Sequence, residues 1–324
     1  MCTSIFVSAT DKSYLLGRTM DWYDLYVKPI FVPADYTWRS VYNQVPHTNK
    51  YAVVGSGFQD ANLIDLSDGI NEHGLSVQKL TFTNGTKLAT KDDQIKIQLA
   101  AFEFVLYTLG NFKSINELEM HLDEIELMAL DSQLKHGGDE LHFAISDASG
   151  RSVVIEPNNH PMQLIENPLG VVTNMPNFKR QLAKMDTYLD FDQAFKENRT
   201  PLGSFHVTSG KQAGKKIPSG GYTPSQRFVK AAWLKEMVDI PQNELEATDL
   251  AFRLLEAVSV PKSKAHRPTY TVYQTVTSAK SLTYYFKPVG QAQIFGVQLN
   301  QELLAQKEVR AFDLPSPWQA TMLN

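Results

Sequence analysis

Cysteine is nearly absent from this chain: 324 residues contain one, at position 2. A lone cysteine excludes an internal disulfide framework, so the fold needs no oxidising compartment. Long apolar runs are missing too. No stretch approaches the roughly 18 apolar residues of a membrane helix. The start, MCTSIFVSATDK, lacks the basic segment and apolar run of a signal peptide. The expectation is a cytoplasmic protein with no membrane partner. Charge of one sign is not in excess, since 31 basic side chains face 35 acidic ones for a net charge of −4. That balance argues against a nucleic-acid surface. G-x-G-x-x-G, P-loop, H-E-x-x-H and G-x-S-x-G patterns are all absent. The eight histidines show no ligand-like spacing, so no metal or cofactor is called for.

What is present is enough for a large core. Apolar residues make up 43% of the chain and charged residues 20%, ordinary for a globular protein. No internal repeat, low-complexity run or obvious linker divides it, so residues 1–324 read as a single domain. The Gly/Lys/Ser-rich stretch from Ser209 to Gly221 reads as a mobile loop within it.

The position of the cysteine carries chemical meaning. A small second residue permits loss of the initiator methionine. If Met1 leaves, Cys2 carries a thiol and a free α-amino group on one carbon. A free α-amine has a pKa of about 7.7–8.0. It can therefore take and return a proton near neutral pH, so nucleophile and base come from one residue. The alternative is a buried, inert cysteine that happens to lie early.

Thr3–Val7 is rich in β-branched and aromatic residues and reads as a strand. Thr10–Ser13 is a polar turn, and Tyr14–Arg18 returns as a second strand, forming a hairpin. Pairing brings Cys2 near Arg18 and Asp21. Residues three apart on a strand face opposite sides, so the return strand must bulge or end between them if both serve Cys2. Asp68–Val77 reads as a turn between strands. Ile95–Leu109 is apolar at helical spacing up to Gly110. Ser114 and Glu117 form a capping box opening a helix to about Met128. Phe143–Ser146 and Ser152–Glu156 flank a clear hairpin. Gly170–Thr173 is a short strand ending at Asn174. Gln226–Val238 and Thr248–Val258 read as helices, and Tyr270–Thr277, Ser281–Lys287 and Gln293–Leu299 as strands. Strands in blocks with helices in pairs favour antiparallel sheets with helices outside.

Five phrases together carry a family resemblance: Met1–Ser4, Gly17–Asp21, Asp68–Glu72, Val172–Phe178 and Gly221–Phe228. Over most of its length the chain resembles the choloylglycine hydrolases, N-terminal nucleophile hydrolases that include bile salt hydrolases and penicillin V acylases. The resemblance implies an α+β fold, a four-layer αββα sandwich of two stacked antiparallel sheets flanked by helices, assembled as a homotetramer. It implies removal of Met1 and a catalytic set of Cys2, Arg18, Asp21, Thr81, Asn174 and Arg227. Cys2 would be the nucleophile, with Arg18 beside the sulfur. Asp21 would accept a hydrogen bond from the new amine. Asn174 and the Thr81 backbone amide would hold the oxyanion, and Arg227 would tie the charges together.

One residue departs from the family pattern. Many members have Asn where this chain has Thr81. That change favours a penicillin V acylase-like amidase that releases a bulky apolar acyl group from a non-peptide C–N bond. A conjugated bile salt hydrolase is the alternative, and a non-catalytic lipid- or bile-acid-binding protein a third reading. Met20, Trp22, Phe58, Leu63 and Leu134 are the candidate residues of the acyl pocket.

Overall fold

A computed structural model describes residues 1–60, 63–90, 96–130, 140–189 and 220–315. Eighteen strands appear among them. In chain order they begin β1 (Cys2–Ser8), β2 (Tyr14–Trp22), β3 (Lys28–Val32), β4 (Thr37–Arg39), β5 (Pro46–Thr48) and β6 (Val53–Gln59). Then come β7 (Ile64–Asn71), β8 (Ser76–Thr81), β9 (Ile97–Ala100), β10 (Ile125–Met128), β11 (Leu141–Ser146) and β12 (Ser152–Glu156). The last are β13 (Gln163–Glu166), β14 (Val171–Val172), β15 (Tyr270–Ser278), β16 (Thr283–Pro288), β17 (Phe295–Gln298) and β18 (Arg310–Ala311). The helices used below are α1 (Phe104–Asn111), α2 (Ile115–His121), α3 (Phe178–Leu189), α4 (Pro224–Glu236) and α5 (Glu244–Val258).

Two antiparallel sheets stack face to face. One runs β14-β1-β2-β15-β16-β17, the other β13-β12-β11-β8-β7-β6-β3-β18. The central strands β1, β2, β7 and β15 are buried almost throughout, because each has a sheet on one side and helices on the other. Helices α3, α4 and α5 pack with the first sheet through Phe178, Phe228 and Leu255. Helices α1 and α2 close the second sheet through Phe104, Leu109 and Leu118. The result is the αββα order that the family resemblance implies, with the antiparallel sheets and outer helices that the blocks of strands and pairs of helices favour.

Local chemistry accounts for most boundaries. Ser114 Oγ accepts the Glu117 N–H at 3.2 Å and opens α2. Asn243 caps α5 in the same way, at 3.0 Å from the Glu246 N–H. The Ile95–Leu109 reading needs correction. Ile97–Ala100 is a strand, a single 3₁₀ turn follows at Ala101–Glu103, and α1 begins only at Phe104. A short apolar run serves a buried strand and a buried helix equally well. Helix α2 stops at His121, and Ile125–Met128 is β10, paired in parallel with β9. The turn read at Asp68–Val77 is confined to residues 72–75; Asp68 itself lies within β7. The Ser209–Gly221 loop lies outside the described residues except for its last two positions.

Candidate active site

Register builds the site. Cys2 pairs with Met20 and Ser4 with Arg18 across the first hairpin. Alternation therefore places Cys2, Met20 and Arg18 on one face, with Thr3 and Asp21 on the other. No break separates Arg18 from Asp21: β2 runs unbroken to Trp22. The irregularity sits in the neighbouring strand instead, where the register of β15 shifts between Thr271 and Tyr273 opposite Asp21 and Met20. Arg18 and Asp21 thus approach Cys2 from opposite sides of the sheet.

On the inter-sheet side Arg18 Nη2 donates to Cys2 Sγ at 2.8 Å. Its Nη1 donates to the Ser67 carbonyl at 2.8 Å and stands 3.4 Å from the Asp68 carboxylate. Asp68 also takes hydroxyls from Tyr284, from Thr275 at 3.3 Å and from Tyr273 at 3.4 Å. Arg18 and Asp68 are fully buried. Burial by itself would lower the Arg18 pKa, but the charges of Cys2 and Asp68 outweigh it and the net shift is upward. Burial dominates at Asp68 and raises its pKa despite Arg18 and the hydroxyls.

On the helix side the pieces converge on the backbone of Cys2. β14 pairs antiparallel with β1 through Ser4↔Val172, and extending that register by two residues sets Asn174 opposite Cys2. The Asn174 Oδ1 accepts the Cys2 N–H at 2.8 Å, and its Nδ2 donates to the Thr81 carbonyl at 2.8 Å. Thr173 Oγ1 donates to the Pro224 carbonyl at 3.0 Å, tying the start of α4 to the end of β14. That brings Arg227, in the first turn of α4, onto β1. Its Nη1 donates to the Cys2 carbonyl at 2.6 Å and also meets Thr3 Oγ1; its Nη2 donates to Asn174 Oδ1 at 2.9 Å. Asp21 Oδ2 lies 3.6 Å from Arg227 Nη1, and Asp21 Oδ1 accepts Thr271 Oγ1 at 2.6 Å. Arg227 is fully buried, and burial lowers its pKa against the opposing charges of Asp21 and Cys2. A cation at the start of a helix is poorly placed for the dipole; here the cation serves the neighbouring strand.

Met1 extends the β1–β2 ladder by one rung, its amine donating to the Asp21 carbonyl at 2.7 Å and its carbonyl accepting the Asp21 N–H at 2.9 Å. The nitrogen of Cys2 therefore meets Asn174 rather than the Asp21 carboxylate while Met1 is present.

A solvent-open pocket of about 920 Å³ reaches down to Cys2 and Arg18. Of the residues the sequence offered for an acyl pocket, Met20, Trp22 and Phe58 line this one, and Thr81 stands on its wall. Leu63 does not line it: its N–H donates to Asp60 Oδ1 at 2.9 Å, its carbonyl accepts the Asp60 N–H at 3.0 Å, and it packs against the α1-side core. Leu134 lies outside the described residues. Sequence reasoning missed Leu25, Val27, Phe102 and Leu141 in the pocket, and Asp68, Tyr273 and Tyr284 beneath Arg18. Asp68 stood inside a recognised phrase, but nothing in its spacing announced burial.

The pocket opens where the second sheet splits. β7 and β8 pair only from Asp68↔Gln78 to Ile70↔Ser76. Beyond that β7 continues with β6 as far as Ile64, and β8 continues with β11 as far as Thr81. Gly57 lies beside the irregularity of β6 with β7, where a Cβ would fall 2.0 Å from the Asp65 carbonyl. Only glycine permits that approach.

The model of the linear amide C–N hydrolases, choloylglycine hydrolase family, matches residues 2–317. The chain belongs to the choloylglycine hydrolase family. As a choloylglycine hydrolase-family member it is a hydrolase of linear amide C–N bonds. A bile salt hydrolase/transferase of Clostridium perfringens is 27% identical over 96% of each chain. A penicillin V acylase of Pectobacterium atrosepticum is 26% identical over 100% of this chain and 88% of its own length. A crystal structure of a variant conjugated bile acid hydrolase from Clostridium perfringens matches with a TM-score of 0.83 at 25% identity, covering all of both chains. No helix among the described residues is long and apolar enough to cross a membrane.

Proposed function

We propose that this choloylglycine hydrolase-family member cleaves the amide of conjugated bile salts, with Cys2 as nucleophile once Met1 is removed. The observation that carries the reading is the 2.8 Å contact between the Arg18 guanidinium and Cys2 Sγ at the base of an apolar pocket. The fixed cation favours a sulfur anion there. Bile salt hydrolases among its relatives supply the choice of substrate. The sulfur attacks the carbonyl, and the oxyanion rests on the Asn174 amide and the Thr81 backbone N–H. The freed Cys2 amine takes the thiol proton, passes it to the leaving nitrogen, then takes a proton from the water that clears the thioester and returns it to the departing sulfur. Asp21 orients that amine, and Arg227 holds the Cys2 carbonyl and the Asn174 amide beside it.

Phenoxymethylpenicillin is the second reading, favoured by Thr81 where bile salt hydrolases usually carry Asn. The residue-81 contact with Asn174 runs through the backbone carbonyl, so the side-chain change leaves that contact intact. Parallel turnover of glycine- and taurine-conjugated cholate, phenoxymethylpenicillin and an N-acyl homoserine lactone decides between substrates. The expected result is highest kcat/KM on a bile conjugate, in protein whose mass lacks Met1. Full activity with Met1 retained would defeat the mechanism. No turnover, together with bile-acid binding, would favour a non-catalytic role.

A further inference from the structure

Resting on that reading, we propose that the Lys79–Asp65 ion pair reads a hydroxyl group on the acyl part of the substrate. The pair stands in the split between β7 and β8: Asp65 lies on the arm that stays with β6, and Lys79 on the arm that stays with β11. Both line the same pocket as Cys2. Their side chains are only 12% and 11% exposed, and the Lys79 ammonium lies 5.9 Å from the Phe102 ring centroid. The neighbouring wall, Phe102 and Leu141, is apolar.

Such a pair needs a reason to be there. Taking two charges from water is expensive, and an apolar pair of similar volume is often as stable or more so. Arg18–Asp68 and Arg227–Asp21 account for the charges around Cys2; Lys79–Asp65 belongs to the pocket wall instead. Its net charge is zero, so it offers no attraction for a free anion, and Asp65 opposes a carboxylate as strongly as Lys79 invites one. A neutral hydroxyl suits both halves: its O–H donates to Asp65 and its oxygen accepts from Lys79. An acyl group without one covers the pair and strips its remaining water without replacing it. The pair therefore favours hydroxylated acyl groups and selects against purely apolar ones.

The test compares glycine conjugates of trihydroxylated and of unsubstituted cholanic acid, below their micelle-forming concentrations. The wild type and an Asp65→Leu/Lys79→Met double variant are assayed side by side. The expected result is that the trihydroxylated to unsubstituted ratio of kcat/KM falls about tenfold in the variant, the size of one charge-assisted hydrogen bond. A ratio within twofold of wild type would overturn the proposal, as would an equal loss on both substrates with thermal stability unchanged. If the double variant fails to fold, Asp65→Asn/Lys79→Gln takes its place under the same criteria. If the wild type turns over no bile conjugate, the bile-salt reading fails separately. The pair is then tested with phenoxymethylpenicillin against its p-hydroxyphenoxymethyl analogue, where the same ratio shift upholds the hydroxyl reading and its absence ends it.

Discussion

Two arginines flank Cys2, both fully buried, and they are not equivalent. Arg18 sits between the sheets, donates to sulfur, and is stabilised as a cation by Asp68. Arg227 sits under the helices and donates to the Cys2 carbonyl, the Thr3 hydroxyl and Asn174. Its surroundings lower its pKa rather than raise it. One arginine touches the atom that would react; the other touches the backbone that carries it. Alternation along one hairpin separates the two duties, because Arg18 and Asp21 leave opposite faces of the same strand.

The hardest test of that comparison removes what stands between them. Cys2→Ala should lower turnover by at least about 10⁴-fold, the scale of losing a catalytic nucleophile, while leaving both arginines and the melting temperature in place. An uncleavable N-terminal extension should do the same, checked by assay and intact mass. Arg18→Leu should come next. It strands Asp68 in the interior at about 3–5 kcal/mol of stability, measured by denaturant unfolding, and it should lower kcat at saturating substrate in the fraction that folds. Arg227→Gln should lower kcat less than Arg18→Leu does, by roughly tenfold. If the two arginine variants lose kcat equally, the division of labour is wrong. Asp68→Asn made in the Arg18→Leu background should recover about 0.5–3 kcal/mol relative to additivity, because the unpaired charge is gone.

The smallest effect lies away from the site. Lys235 Nζ donates to the Leu169 carbonyl at 2.8 Å, and burial pushes its pKa down to about 8. Lysine in an unfolded chain titrates near 10.4. Between those values the unfolded chain binds more protons, so stability rises as pH rises. Lys235→Met should flatten that slope between about pH 8 and 10.4, followed by thermal melts, without changing how either arginine acts. Coupling of that slope to kcat would blur the comparison.

The sequence made the first hairpin plain because period-two alternation, a polar turn and β-branched residues agreed there. It also placed the Phe143–Glu156 hairpin and the Ser114 cap on local chemistry. It misjudged Ile97–Ala100 and Ile125–Met128, where a parallel pairing between distant segments overrides apolar spacing that looks helical. Leu63 failed as a pocket residue because two hydrogen bonds to Asp60 accompany its packing toward the α1-side core. Asp68 and Tyr284 meet across two sheets from positions more than 200 apart, and no local signal records such a meeting. Arg227 was legible mainly as a misfit at a helix start, a cation where the dipole does not want one.

The Cys2↔Met20 and Ser4↔Arg18 pairing makes β1 a ruler read from its free end. Deleting any one residue between Thr3 and Ser8 while the rest of the strand keeps its place would shift the phase by one. The sulfur would then point toward α4, and position 3 would stand beside Arg18 on the inter-sheet face. The position of the proposed nucleophile is thus set by counting, and it is as intolerant of a single-residue slip as a reading frame.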